Sequence, residues 1–264
     1  MDNNNPIGIF DSGVGGLSVI RSIKKTFPNE NIVYVGDLKN FPYGTKKEEE
    51  VKDFAKRITT FLLKQHAKLI IVACNTVSSI AIDDLKKLAQ PVNVIGMVQA
   101  GAKYAVDTTK NKRVGVISTP LTAKKHAYKT AIEKIDKDIQ VFEVGAQELV
   151  NLVEDGVQFN DYACAIASER LRVPLKNGID TLVLGCTHFP FLYKVVKSVV
   201  GENVKVIDPA DYVVFETKHF LEEVGFNKDG NSKTIFYTTD DKEFFKDKLS
   251  IFLNEKDEVI QIDI

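Results

Sequence analysis

Along the chain, short runs of wholly apolar residues alternate with longer stretches in which apolar positions recur every three or four residues. The short runs are "IGIF" (7–10), "NIVYVG" (31–36), "LIIVA" (69–73), "VNVIG" (92–96), "RVGVI" (113–117), "IQVFEV" (139–144), "TLVLG" (181–185), "VKVID" (204–208) and "TIFYT" (234–238). Because they are apolar throughout rather than alternating, they predict parallel strands covered on both faces. The stretches 46–66, 121–136, 160–173 and 241–253 have helical spacing and predict amphipathic helices. Strands alternating with helices from end to end predict an α/β protein with mostly parallel sheets. No low-complexity segment or Pro/Gly/Ser linker interrupts the pattern.

An internal repeat refines this picture. "IGIFDSG" (7–13) matches "VGVISTP" (114–120), which sets Asp11-Ser12 against Ser118-Thr119. "LIIVACNT" (69–76) similarly matches "TLVLGCTH" (181–188), which sets Cys74 against Cys186. In open parallel sheets, ligands bind outside the carboxyl ends of the strands. Two halves built alike and facing each other therefore predict a cleft with one cysteine on each side.

Composition limits the function classes. With 264 residues the chain suffices for one large domain or two ordinary ones. Charged residues make up 27%, hydrophobic residues 44%, and the formal net charge is -1. Near-neutrality without a basic run argues against nucleic acid as a partner. The start "MDNNNPIG" lacks the features of a signal peptide, and no apolar run approaches the roughly 18 residues of a membrane span. Three cysteines, an odd number, fit a reduced cytoplasmic protein better than a disulfide scaffold.

A free cysteine usually packs as a small buried hydrophobe. Cys164, in "DYACAIASERLRVP", fits that description, being in step with Ala167 and Leu171 on one helix face. Cys74 and Cys186 do not. Each follows an apolar strand and precedes hydrogen-bonding residues, Asn75-Thr76 in one case and Thr187-His188 in the other. Helical patterns follow both, with Pro190 placed for a first turn, so dipole and backbone N–H groups would favour a thiolate. Metal binding is disfavoured, because Cys186 and His188 are two apart and neither C-x-x-C nor H-E-x-x-H occurs. A cysteine hydrolase using Cys186 and His188 leaves Cys74 without a role. "DSGVGGLS" (11–18) fits neither nucleotide-binding glycine motif; it predicts a tight turn whose N–H groups hold a carboxylate. "YVGDLKNFPYGTK" (34–46) reads as a loop and a lip for the same cleft.

Taken in order, "IGIFDSGVGGLSV", "VYVGD…FPYGTK", "IIVACNT" and "LVLGCTHFPFL" resemble the glutamate racemases of the aspartate/glutamate racemase family along nearly the whole chain. The resemblance implies two similar α/β domains with the active site in the cleft between them. The first domain would comprise 1–97 and 210–264, and the second 98–209. It further implies cofactor-independent interconversion of L- and D-glutamate for peptidoglycan synthesis by a cytoplasmic homodimer. By the family pattern Cys74 deprotonates D-glutamate and Cys186 L-glutamate; Asp11 assists Cys74, and His188 and Glu154 serve Cys186. Asp11, Ser12, Tyr43, Gly44, Asn75, Thr76, Thr187 and His188 match its substrate-binding positions. The sequence departs from the pattern at Asn40, Gln99 and Asp240, and "VGAQELVNL" (144–152) lacks the usual prolines. The alternatives are a two-cysteine racemase for aspartate or a related acid, and a binding protein that retains the cleft without catalysis.

Overall fold

The computed structural model describes residues 2–157, 159–227, 232–254 and 257–264. The strands are β1 (Ile7–Asp11), β2 (Ile32–Gly36), β3 (Leu69–Val72), β4 (Asn93–Gly96), β5 (Arg113–Ser118), β6 (Gln140–Gly145), β7 (Thr181–Gly185), β8 (Lys205–Ile207), β9 (Thr234–Thr238) and β10 (Val259–Gln261). The helices are α1 (Leu17–Thr26), α2 (Glu48–Lys64), α3 (Asn75–Ile80), α4 (Ile82–Ala89), α5 (Met97–Thr108), α6 (Pro120–Lys124), α7 (Ala127–Ile135), α8 (Gln147–Glu154), α9 (Asp161–Lys176), α10 (Tyr193–Val200), α11 (Pro209–Val224) and α12 (Lys242–Leu253). Each of the nine apolar runs forms a strand. The tenth strand, β10, is three residues in a polar context and carries little apolar signal.

The strands form two sheets, ordered β10-β9-β2-β1-β3-β4 and β6-β5-β7-β8. Every described pairing is parallel. Without β9 and β10, the first sheet has the same strand order as the second, so the weak sequence repeat corresponds to a repeated topology. Both faces of each sheet are covered, as the unbroken apolar runs require. In the first sheet Ile7, Ile9, Leu69 and Ile71 face α1, α11 and α12, while Phe10, Ile70 and Val72 face α2, α3 and α4. In the second, Ile117, Leu182 and Leu184 face α8, α9 and α10, and Val114, Val116 and Val183 face α5 and α7. The four side chains of β3 are fully buried, each contributing about 1.5–3 kcal/mol relative to exposure.

Two expectations differ from the structure. The stretch 121–136 is two helices, because His126 adopts a left-handed conformation (φ 50°) that ends α6. That backbone is held in place by Glu143, whose carboxylate lies 2.9 Å from His126 Nδ1. Cys164 is half-buried rather than core. The buried face of α9 is Ala163, Ala167, Leu171 and Pro174, and Cys164 lies at its edge with Sγ 3.7 Å from Ser198 Oγ. Cys164→Ala should therefore cost about 1 kcal/mol or less in thermal unfolding and leave turnover unchanged. A fall in turnover approaching that of Cys74→Ala would contradict this placement.

Candidate active site

The register of the strands explains how two cysteines from distant segments reach one place. Phe10 pairs with Val72 in the first sheet, so Asp11 lies across from Ala73 and Cys74 comes one residue later. Ser118 pairs with Gly185 in the second, and Cys186 again comes one residue later. Ser12 and Thr119 follow Asp11 and Ser118 in the same way. Each strand turns polar where it passes beyond its sheet, and the two carboxyl ends face each other across one small cleft.

One end of the cleft contains both thiols, Asp11, Ser12, Thr187 and His188. Cys74 is the N-cap of α3 and 4% exposed, with its sulfur 3.9 Å from Ser12 Oγ. Burial and then the neighbouring Asp11 carboxylate push its thiol well above the ordinary value; the Val77 N–H and Ser12 offset this only partly. The dipole expected to favour a thiolate is therefore outweighed at Cys74. Cys186 precedes a 3₁₀ turn, Phe189–Leu192, that contains Pro190. Its immediate partner is a side chain: Sγ lies 3.7 Å from His188 Nδ1, and His188 Nε2 lies 2.6 Å from Glu154 Oε1. Burial alone would lower the pKa of His188, but the bonds to Cys186 and Glu154 outweigh it and raise it to about 10. Each thiol thus has its own surroundings, a carboxylate beside Cys74 and an imidazolium beside Cys186.

The sign of the His188 shift gives a stability test. A base with a raised folded-state pKa stabilises fully below its ordinary value of 6.5, and the contribution is lost as pH rises through about 10. The difference in Tm between the wild type and His188→Asn should therefore shrink between those two values. A difference that widens over that interval would refute the assignment.

Asp11 is positioned by the glycine turn. The Gly16 N–H donates to its Oδ2 at 2.8 Å and Thr187 Oγ1 donates to the same oxygen at 3.3 Å, while Oδ1 is buried without a partner. The carboxylate that "DSGVGGLS" holds is thus its own Asp11. Gly15 is required for close approach: a Cβ there would stand 2.5 Å from both His188 Nδ1 and Thr187 Oγ1. Gly15→Ala should displace His188 and lower kcat by about 10²-fold, since small misplacements at a reacting centre cost that much. Wild-type kcat in this variant would show that the contact is not constraining.

The other end of the cleft contains Gly44, Thr76, Thr119 and Gln147, with Thr76 Oγ1 3.0 Å from Thr119 Oγ1. Asn75 accepts from Tyr128 Oη at 2.6 Å, and its buried Nδ2 has no partner. Tyr43 also lines the cleft, but its hydroxyl donates to Asp37 at 2.5 Å, so what it offers a ligand is its ring and backbone. Asp37 is buried and also accepts from Asn40 and Thr239. Asn40 thus acts behind the lip; it, Gln99 and Asp240 lie outside the cleft lining.

All of the residues expected at the site line this cleft except Glu154, which reaches it through His188. Sequence reasoning missed Gln147 and Val150, and it gave Thr119 no role although it set that residue at a strand end beside the cleft. Thr119 was detectable as the repeat partner of Ser12. Gln147 and Val150 lie at the start of α8 and carry no distinguishing pattern.

The family model described as Asp/Glu/Hydantoin racemase matches residues 7–217. A glutamate racemase of Thermoanaerobacter pseudethanolicus is 38% identical over 264 residues, covering 99% of this chain and 98% of that protein. Glutamate racemase 3 of Caldanaerobacter subterraneus subsp. tengcongensis is 39% identical over 253 residues, covering 95% and 92%. The crystal structure of a Francisella tularensis glutamate racemase in complex with D-glutamate superposes with a TM-score of 0.93 at 33% identity, covering 100% of this chain and 98% of that one.

Proposed function

Because the chain belongs to the Asp/Glu/Hydantoin racemase family, we propose that it interconverts L- and D-glutamate by a two-base mechanism at Cys74 and Cys186. The observation that carries this reading is the pair of buried thiols lining one small cleft from opposite sheets. Racemisation needs a base on one face of the α-carbon and an acid on the other, and each thiol serves as either.

The unpartnered atoms suggest how an amino acid is held. The free Oδ1 of Asp11 faces the substrate ammonium, and the free Nδ2 of Asn75 faces a carboxylate, with Ser12 and Thr187 alongside. Thr76, Thr119 and Gly44 take the side-chain end. For L-glutamate, Cys186 is the base, with the His188 imidazolium beside it and Glu154 orienting the ring. Cys74, kept protonated by burial and Asp11, is the acid. For D-glutamate the roles reverse. The substrate ammonium then offsets the Asp11 charge that holds the Cys74 proton, so binding prepares Cys74 to act. No step in this route uses a cofactor.

The domain division 1–97 with 210–264, and 98–209, is supported by sheet membership, since β9 and β10 join the first sheet. Among the described residues no helix is long and apolar enough to cross a membrane. The cytoplasmic location, the supply of D-glutamate to peptidoglycan and the homodimer rest on the family resemblance. Purified protein dialysed against a chelator should racemise both glutamate enantiomers and exchange the α-proton with deuterated water. Preference for aspartate would replace the substrate; absence of exchange would leave a binding protein.

A further inference from the structure

Lys248 projects from α12 and is 7% exposed, with Nζ 2.7 Å from the backbone oxygen of Glu154. Among the described residues no carboxylate lies within ion-pair distance of it. A buried ammonium without a counter-ion is costly. The rings of Phe244 and Phe252, at 5.0 and 5.8 Å, replace only part of its hydration. The plain reading is a lysine capping the carboxyl end of a helix. Two features go further. The contact joins α12, which packs on the first sheet, to α8, which packs on the second. The capped residue is also the one whose side chain holds His188 at 2.6 Å, with His188 in turn 3.7 Å from Cys186.

We infer that Lys248 is a positioning residue for the Cys186 half of the site, holding the Glu154 peptide so that the Glu154 carboxylate aligns His188 against the thiol. The inference rests on the proposed assignment of Cys186 to L-glutamate. Lys248→Met keeps the apolar stem and removes the donor. Fixing groups one step behind a reacting centre typically matters by about 10–100-fold, so kcat for L-glutamate should fall by that factor while KM moves less than about threefold.

A second readout isolates one thiol. From 3-chloroglutamate, α-proton abstraction with loss of chloride gives an enamine, which water converts to 2-oxoglutarate and ammonium; no reprotonation of the α-carbon by the opposite thiol is needed. Lys248→Met should slow elimination from the L-form and leave the D-form within about twofold, and Lys248→Arg should restore most of the loss. Should Lys248→Met fail to fold, Lys248→Leu, which also removes the donor while filling part of the same apolar space, serves in its place. Combined with Glu154→Gln, the Lys248 variant should add little to the loss seen with Glu154→Gln alone, because both act through one bond. Equal slowing of both enantiomers, no slowing, or additive losses would each overturn the inference. Two controls separate failure of the functional reading: wild-type turnover of both glutamate enantiomers, and opposite enantiomer preferences of Cys74→Ser and Cys186→Ser. If only the second control fails, the double-mutant cycle on racemisation decides the Lys248 inference.

Discussion

Cys74→Ser should lower racemisation by several orders of magnitude in both directions while leaving the fold intact. Each direction requires one thiol as base and the other as acid, and a hydroxyl exchanges its proton far less readily. The loss should exceed the roughly 10²–10⁴-fold often associated with one general acid–base group. Chemistry that needs only the first proton transfer should survive on one side. With 3-chloroglutamate, Cys74→Ser retains Cys186 beside His188 and should eliminate from the L-form; Cys186→Ser should eliminate from the D-form. The measurement is 2-oxoglutarate release from each enantiomer with each variant. Both variants favouring the same enantiomer would mean that the thiols do not divide the two faces. Retention of substantial racemisation by either would remove that thiol from the mechanism.

Lys68→Met should produce the largest loss of stability, far from the cleft. Lys68 immediately precedes β3 and is buried, its ammonium 2.7 Å from the Glu30 carboxylate and 2.5 Å from the Asn3 carbonyl. Glu30 also accepts from the Asn227 N–H at 2.8 Å. Removing the ammonium leaves a buried carboxylate with too few partners, which costs about 3–5 kcal/mol. Replacing both partners with apolar residues of similar size should recover most of that, since the uncompensated charge is what destabilises. The check is denaturant unfolding of Lys68→Met and of Lys68→Met with Glu30→Leu. A single variant within about 1 kcal/mol of wild type, or a double variant worse than the single, would show that the pair is not what holds these segments. At the opposite end of the sheet from Cys74, the substitution should leave kcat of the folded protein unchanged.

Much of this was legible in the sequence because parallel strands buried on both faces must be apolar throughout. The abrupt change from "LIIVA" to "CNT" then marks where a strand leaves its sheet. The repeat located the two thiols, and register explains why so weak a match was informative: Asp11 and Ser118 occupy corresponding places beside Ala73 and Gly185. The break at His126 was not legible, because it depends on Glu143 from a strand elsewhere in the fold. Nor was the commitment of the Tyr43 hydroxyl to Asp37, since a loop sequence does not say which tyrosine donors are already used. Sequence likewise suggested one electrostatic setting for both cysteines, helix dipoles. Burial and specific neighbours gave them two.

The order of the strands bears on how the chain is made. A ribosome emits β1 to β4, then all of the second sheet between residues 113 and 207, and only afterwards β9 and β10. The second sheet can thus be complete while β2, which later pairs with β9, is still an open edge on the growing chain. An unpaired parallel edge is a template for wrong partners. The β2 edge of the nascent protein therefore stays open until nearly the whole chain has emerged. Premature termination before residue 234 would leave that edge permanently open even though both cysteines had already been translated.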